Sequence, residues 1–324
     1  MSEKYDIDVV LPWINPADDV WFEDYKQACE KYDGDKDPQR IRDFGTFLYV
    51  LRGIEQNMPW VRYVHLLFYS NTQIPSWLNT KHPKLKIHYH DEICKKSFNC
   101  LYFSTYIYKL KDLSEHFIWL NDDVLPLCPL KETDFFIDGK PVDTNKKSKI
   151  INSNPIHERN LLRDRITLEK QFSEKRLDFF QNIVKNSLFL ARYYTGKNNI
   201  WYNAHVGCNC LRSEYEKIMQ DLHSELDEIF SDYHFRTRTQ IDTIWFYRYV
   251  RLSLGNFVNR IDDEKFVYTE IYNEKVNFIK NEIKKGTKIL CVNDIFNKNA
   301  NFELAKENIK KILDDHLYKS TFEK

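Results

Sequence analysis

Two short apolar runs in this chain break off in Asn-Asp: FIWLNDD (117–123) and ILCVND (289–294). A strand that ends in a carboxylate suits an open α/β sheet, which binds its ligands at the carboxyl ends of its strands. The run Ile7 to Leu11, closed by Pro12 and followed by a Trp/Asn/Pro/Asp-rich loop, reads as a buried first strand. Phe44, Phe47, Leu48, Leu51 and Ile54 then recur at helical spacing up to Asn57-Met58-Pro59, and Val64 to Phe68 resumes a strand. Strand, helix and strand in that order predict a βαβ unit, with Leu85 to Tyr89 a further strand, and so an α/β fold class.

The later part of the chain reads as mainly helical. Tyr215, Ile218, Met219, Leu222, Leu226 and Ile229 trace one apolar stripe, Ile241 to Leu254 another, and Phe302, Ala305, Ile309 and Ile312 a closing amphipathic helix. Between about Lys131 and Asn199 the text turns Lys/Asn/Asp-rich and then helical through Leu161, Leu168, Phe172, Phe179 and Ile183. This predicts a mainly helical insert or lid over 131–199, set between core segments 1–130 and 200–324.

Composition removes several functions. With 48 basic against 48 acidic residues there is no electrostatic footprint for nucleic acid. None of the eight glycines lies within two residues of another, which excludes both the Gly-x-Gly dinucleotide turn and the P-loop. Any nucleotide phosphates must then be held by side chains and a metal. The seven cysteines are scattered, with Cys208 and Cys210 the one close pair, and read as reduced thiols. No apolar run approaches the roughly 20 residues of a membrane span, and Met1 to Asp8 lacks a signal-peptide profile. The expected location is cytoplasmic, with peripheral association on the inner face of the membrane as its extension.

Asp122, Asp123 and Asp294 supply hard oxygen ligands at strand ends, a set that suits Mg²⁺ or Mn²⁺ bridging a diphosphate; the same residues also suit turn and helix caps. His205, in WYNAHVG, stands outside any long apolar stripe and is a candidate general base. Arg236 and Arg238, in HFRTRTQ, can grip a phosphate, whereas Arg248 and Arg251 are expected on a solvated basic face. Trp13 and Trp201 flank these segments as stacking candidates or as buried core. His88 and His90 alternate on a strand and are expected to be half exposed rather than zinc ligands.

Taken together, the segments IDVVLPWINPADDVW (7–21), RDFGTFLYVLRGIEQNMPWVRYVHLLF (42–68) with IPSWLN (74–79) and LSEHFIWLNDDV (113–124), NAHVG (203–207) with HFRTRTQID (234–242), and ILCVND (289–294) with KSTFE (319–323) resemble the Stealth family of sugar-phosphate transferases. The resemblance implies a GT-A-like Rossmann core, helices on both sheet faces, and transfer of a hexose-1-phosphate from a UDP-hexose to a polysaccharide or lipid-linked glycan hydroxyl, with release of UMP. It implies Asp122, Asp123 and Asp294 for the metal, Asp123, His205 and Arg236 for catalysis, and Asp8, Trp13, Asn15, Arg42, Asp43 and Asn99 for the donor pocket. Two departures stand out. The family's Phe-Asn-Ser-His with a later Glu is here Phe98-Asn99-Cys100-Leu101 with Ser104, and Gly207 replaces a usual proline. An ordinary GT-A glycosyltransferase releasing UDP, or a non-catalytic glycan-binding homologue, is the alternative expectation.

Overall fold

The computed structural model describes residues 4–144, 146–149, 199–201, 205–237, 240–260, 263–271, 276–294 and 301–324. The βαβ unit is present. β1 (Ile7–Pro12) is followed by α1 (Asp19–Lys31), α2 (Thr46–Asn57) and β2 (Val64–Phe68), and β1 and β2 pair in parallel with Val9 opposite Val64. β3 (Leu85–Tyr89) joins β2 in parallel, and β4 (His116–Trp119) pairs in parallel with the other side of β1. After β5 (Val124–Pro126) come β6 (Phe136–Ile137), β7 (Lys140–Asp143), β8 (Lys147–Lys149) and β9 (Asn199–Trp201). β10 (Cys208–Leu211) then closes the central sheet antiparallel to β4, giving the order β10-β4-β1-β2-β3.

Both faces of this sheet are covered. Val9 and Leu11 pack on one side with Phe47 and Leu51 of α2, while Val10, Leu67 and Phe117 face the other side with Leu101, Tyr215 and Phe246. Strands buried on both faces read as continuous apolar runs, which is why IDVVL and VHLLF were legible. The second face is built by α3 (Arg212–Asp221), α4 (His223–Ile229) and α5 (Thr243–Leu254). The first stripe thus divides into two helices at Leu222, whose φ of −110° and ψ of 11° leave the helical region.

β11 (Val258–Asn259) pairs with β7, and β12 (Phe266–Ile271), α6 (Val276–Lys284), β13 (Ile289–Asp294) and α7 (Phe302–Asp314) follow. β12, β13 and β5 form a second, three-stranded sheet. The strands carrying the two Asn-Asp ends are therefore not neighbours in one sheet. Their carboxylates meet because β5 leaves directly from Asp123 and runs antiparallel to β13, with Val292 N–H donating to the Asp123 carbonyl at 2.9 Å. α2 must lie close on β5: a Cβ on Gly53 would stand 2.4 Å from the Pro126 carbonyl oxygen, so only glycine fits.

Several expectations change. The start of the 131–199 segment is a 3-10 turn, Glu132–Asp134, followed by the short strands β6 and β7, and Phe135, Phe136 and Val142 are buried in the protein core. The helical pattern from Leu161 to Ile183 lies outside the described residues. Arg248 and Arg251 are buried at 3% and 1% exposure, Arg248 forked on Asp143 and Arg251 beside Glu214, so they tie α5 to the fold rather than forming a solvated face. His88 and His90 are likewise buried and part company, His88 bonding His65 while His90 opens a short helical turn against Phe103. Among the described residues no helix is long and apolar enough to cross a membrane.

Candidate active site

A cleft of about 250 Å³ opens where Pro12 ends β1, Leu67 nears the end of β2, Asn121 follows β4 and Asp294 ends β13. One wall is acidic. Asn121-Asp122-Asp123 turns the chain from β4 into β5, and Asp294 arrives from the neighbouring strand. Protein packs densely around both turn carboxylates, although they keep a surface on the cleft. Burial, then the charges of Asp123 and Asp43, drive the Asp122 carboxyl well above the usual carboxylate range. Burial pushes Asp123 up to about 6, against the hydrogen bond its Oδ2 receives from the Cys291 thiol at 3.7 Å. Its buried Oδ1 has no hydrogen-bond partner. Asp294 is taken up by Arg42, whose Nε and Nη2 donate to it at 2.8 and 2.7 Å.

Another part of the lining is basic and aromatic. Arg236 and Arg40 line it with Trp21, Tyr25, Phe98 and Phe235. Arg236 donates to the Cys100 thiol, and its carbonyl accepts from Asp35 N–H at 2.8 Å. Although burial opposes its charge, nearby Cys100 and Asp242 hold its pKa above the ordinary arginine value. His205 is outside the cleft lining, between Trp245 and Tyr268 at ring separations of 5.6 and 6.0 Å. Burial, then the charge of Arg236, lower its pKa to about 4, so the imidazole is neutral at pH 7. Its φ of 56° is left-handed, and Gly207 two residues on has φ 101°, a value closed to proline; a Cβ there would meet the Trp119 carbonyl at 2.7 Å.

Of the residues expected here, Trp13, Arg42, Asp122, Asp123, Arg236 and Asp294 line the cleft. Trp13 does so as core, stacked on Phe47 at 4.6 Å. Asp8 does not: it sits at the far end of β1, fully buried, bonded by Arg62, His65 and the Ser114 and Tyr63 amides. Burial alone would raise its pKa, but His65 and Arg62 outweigh that and hold it at about 2. Asn99 is also a buried support, joining Leu101 N, the Phe235 carbonyl and Gln240. Asn15 is engaged with Gln73, and Asp43 accepts from Gly45 N–H behind the acidic wall. Arg238 and the side chain of Trp201 lie outside the described residues.

The family model for Stealth protein conserved region 2 matches residues 40–143. The capsular polysaccharide phosphotransferase WcwK of Streptococcus pneumoniae is 30% identical over 315 residues, covering 91% of this chain and 91% of the relative. This chain belongs to the Stealth family. The exopolysaccharide phosphotransferase cps2G of Lactiplantibacillus plantarum is 28% identical over 343 residues, covering 100% of this Stealth chain and 98% of the relative. Among solved structures, the galactosyltransferase LgtC in complex with donor and acceptor sugar analogs overlays with a TM-score of 0.42 at 10% identity, covering 97% of this chain and 98% of that one.

This Stealth site has the chemistry of half a metal centre. Two half-buried carboxylates whose ionisation the surrounding protein disfavours, one with an orphaned oxygen, are a donor set that a hard divalent cation would satisfy. Among the described residues no group of three or more His, Cys, Asp or Glu side chains is arranged to hold an ion. Asp122 and Asp123 would therefore need phosphate oxygens and water to complete a shell, with Asp294 shared by Arg42. Sequence reading missed Gln39 and Arg40 on this wall; their signal is the spacing of QRIRD (39–43), where Arg40 and Arg42 are two apart. It also missed the aromatic floor, although Trp21, Tyr25 and Ala28 of α1 carry a helical stripe.

Proposed function

We propose that this chain transfers a hexose-1-phosphate from a UDP-hexose to a hydroxyl of a polysaccharide or lipid-linked glycan, forming a phosphodiester and releasing UMP. The observation that carries this reading is the cleft itself, whose lining holds both the half-buried Asp122–Asp123 pair and Arg236. A sugar diphosphate needs both, a cation site for one set of oxygens and fixed guanidinium charge for another. The relatives named as capsular and exopolysaccharide phosphotransferases support the reaction class, and the parallel βαβ frame supports a GT-A-like core.

Asp122 and Asp123, with Asp294, would hold Mg²⁺ or Mn²⁺, which when bound supplies charge neutralisation of the diphosphate. Arg236 holds the transferring phosphoryl in line. The acceptor oxygen attacks the sugar-linked phosphorus and the bond to UMP breaks with the electron pair leaving on UMP; for the neutral His205 imidazole to take the acceptor's proton, the acceptor must enter from the Tyr268 side, where His205 stands outside the cleft lining. The sugar C1–O bond stays intact, so anomeric configuration is kept. A chain acting on this acceptor class would work at the cytoplasmic face of the membrane. Phosphorus NMR of products from a UDP-hexose panel, Mg²⁺ and a cell-envelope glycan fraction tests the proposal. A phosphodiester resonance with UMP supports it; UDP with glycan elongation replaces it by ordinary glycosyl transfer.

A further inference from the structure

The turn Pro38–Arg40 brings two unsatisfied polar atoms to one cleft. Arg40 is anchored through Nε, which donates to Asp35 at 2.9 Å, while its buried Nη2 has no hydrogen-bond partner. The neighbouring Gln39 leaves a buried Oε1 equally without a donor. Leaving a buried donor or acceptor unmade is costly, and such atoms persist where a ligand completes them. The turn is also held in register with Arg236: Asp35 N–H donates to the Arg236 carbonyl, and Gly34 lies so close that a Cβ would stand 2.4 Å from that of Phe235. Burial, then the charge of Arg236, lower the Arg40 pKa, so two guanidiniums share a space that an anion would relieve.

We infer that Gln39 and Arg40 read the transferred sugar phosphate, Arg40 Nη2 donating to a phosphoryl oxygen beside Arg236 and Gln39 Oε1 accepting from a hexose hydroxyl. One orphan donor and one orphan acceptor on adjacent residues match a group bearing an anion and hydroxyls. The inference rests on the nucleotide-sugar reading of the cleft.

Calorimetric titration of the full chain with inorganic pyrophosphate, UDP and the tightest-binding UDP-hexose separates the two. Arg40→Ala and Arg40→Lys should each weaken all three ligands about tenfold or more, Lys failing because it keeps charge but loses the fork. Gln39→Leu should leave pyrophosphate and UDP unchanged and weaken the UDP-hexose severalfold. The unliganded Tm of each variant should stay within a few degrees of wild type while the ligand-induced rise shrinks. Unchanged pyrophosphate affinity in both Arg40 variants overturns the phosphate contact, and equal loss of UDP and UDP-hexose in Gln39→Leu overturns the sugar contact. A wild-type chain that binds none of the three removes the nucleotide-sugar reading itself, and this inference with it.

Discussion

Asp123, half-buried after β4, and Asp8, buried in β1, are sent in opposite directions by their environments. Asp123 binds its proton more tightly folded than unfolded, so its charge destabilises the metal-free fold above about pH 6, a penalty that fades as pH falls toward the unfolded value near 4. Asp123→Asn should therefore raise metal-free stability at pH 7 by on the order of 2 kcal/mol and have no such effect at pH 4, while lowering metal-dependent turnover at least 100-fold. Denaturation at the two pH values and a Mg²⁺ titration read both effects. Asp8 works the other way: its stabilisation is complete above about pH 4 and is lost as pH falls toward 2. Asp8→Ala strands Arg62 and His65 and should cost about 3–5 kcal/mol, with donor KM unchanged in the folded fraction. His205→Ala should lower kcat about 100-fold with little change in donor affinity, as steady-state kinetics and a donor titration would show.

α2 and β5 meet at Gly53 with no room for a methyl group, so Gly53→Ala should cost about 1–3 kcal/mol despite alanine's better helix propensity, measurable by urea denaturation. α2 was readable in sequence because Phe47, Leu51 and Ile54 of its stripe are buried and Leu48 packs half-buried against the same core. β1, β2, β13 and α7 were legible for the same reason. β10 was not, because Cys-Asn-Cys-Leu is four residues long and Asn209 turns its amide inward to the Val142 carbonyl at 2.7 Å. Arg248 and Arg251 misled because charge predicts solvent, whereas Asp143 and Glu214, distant in sequence, were waiting to pair with them. Within the site, Asp122, Asp123, Arg236 and Asp294 could be read from local text. Gln39 and Arg40 carried only the spacing of QRIRD, and their place on the cleft depends on long-range contacts such as the Asp35 N–H bond to the Arg236 carbonyl.

The last residues of the described chain are tied to its first third. Glu323 accepts from Arg52 at 2.9 Å through both carboxylate oxygens, Lys324 N–H donates to the Trp77 carbonyl, and Phe322 is buried. Deleting residues 319–324 should thus cost about 3 kcal/mol or more and lower Tm, a change visible by scanning calorimetry. The cleft spans the molecule in the same way, since Arg42 grips Asp294 across 252 positions of chain. During synthesis, the strand that delivers Asp294 leaves the ribosome last among the cleft walls. A nascent chain stalled before that point would display Asp122 and Asp123 without their neighbour from β13, so the cleft is complete only after β13 has been made.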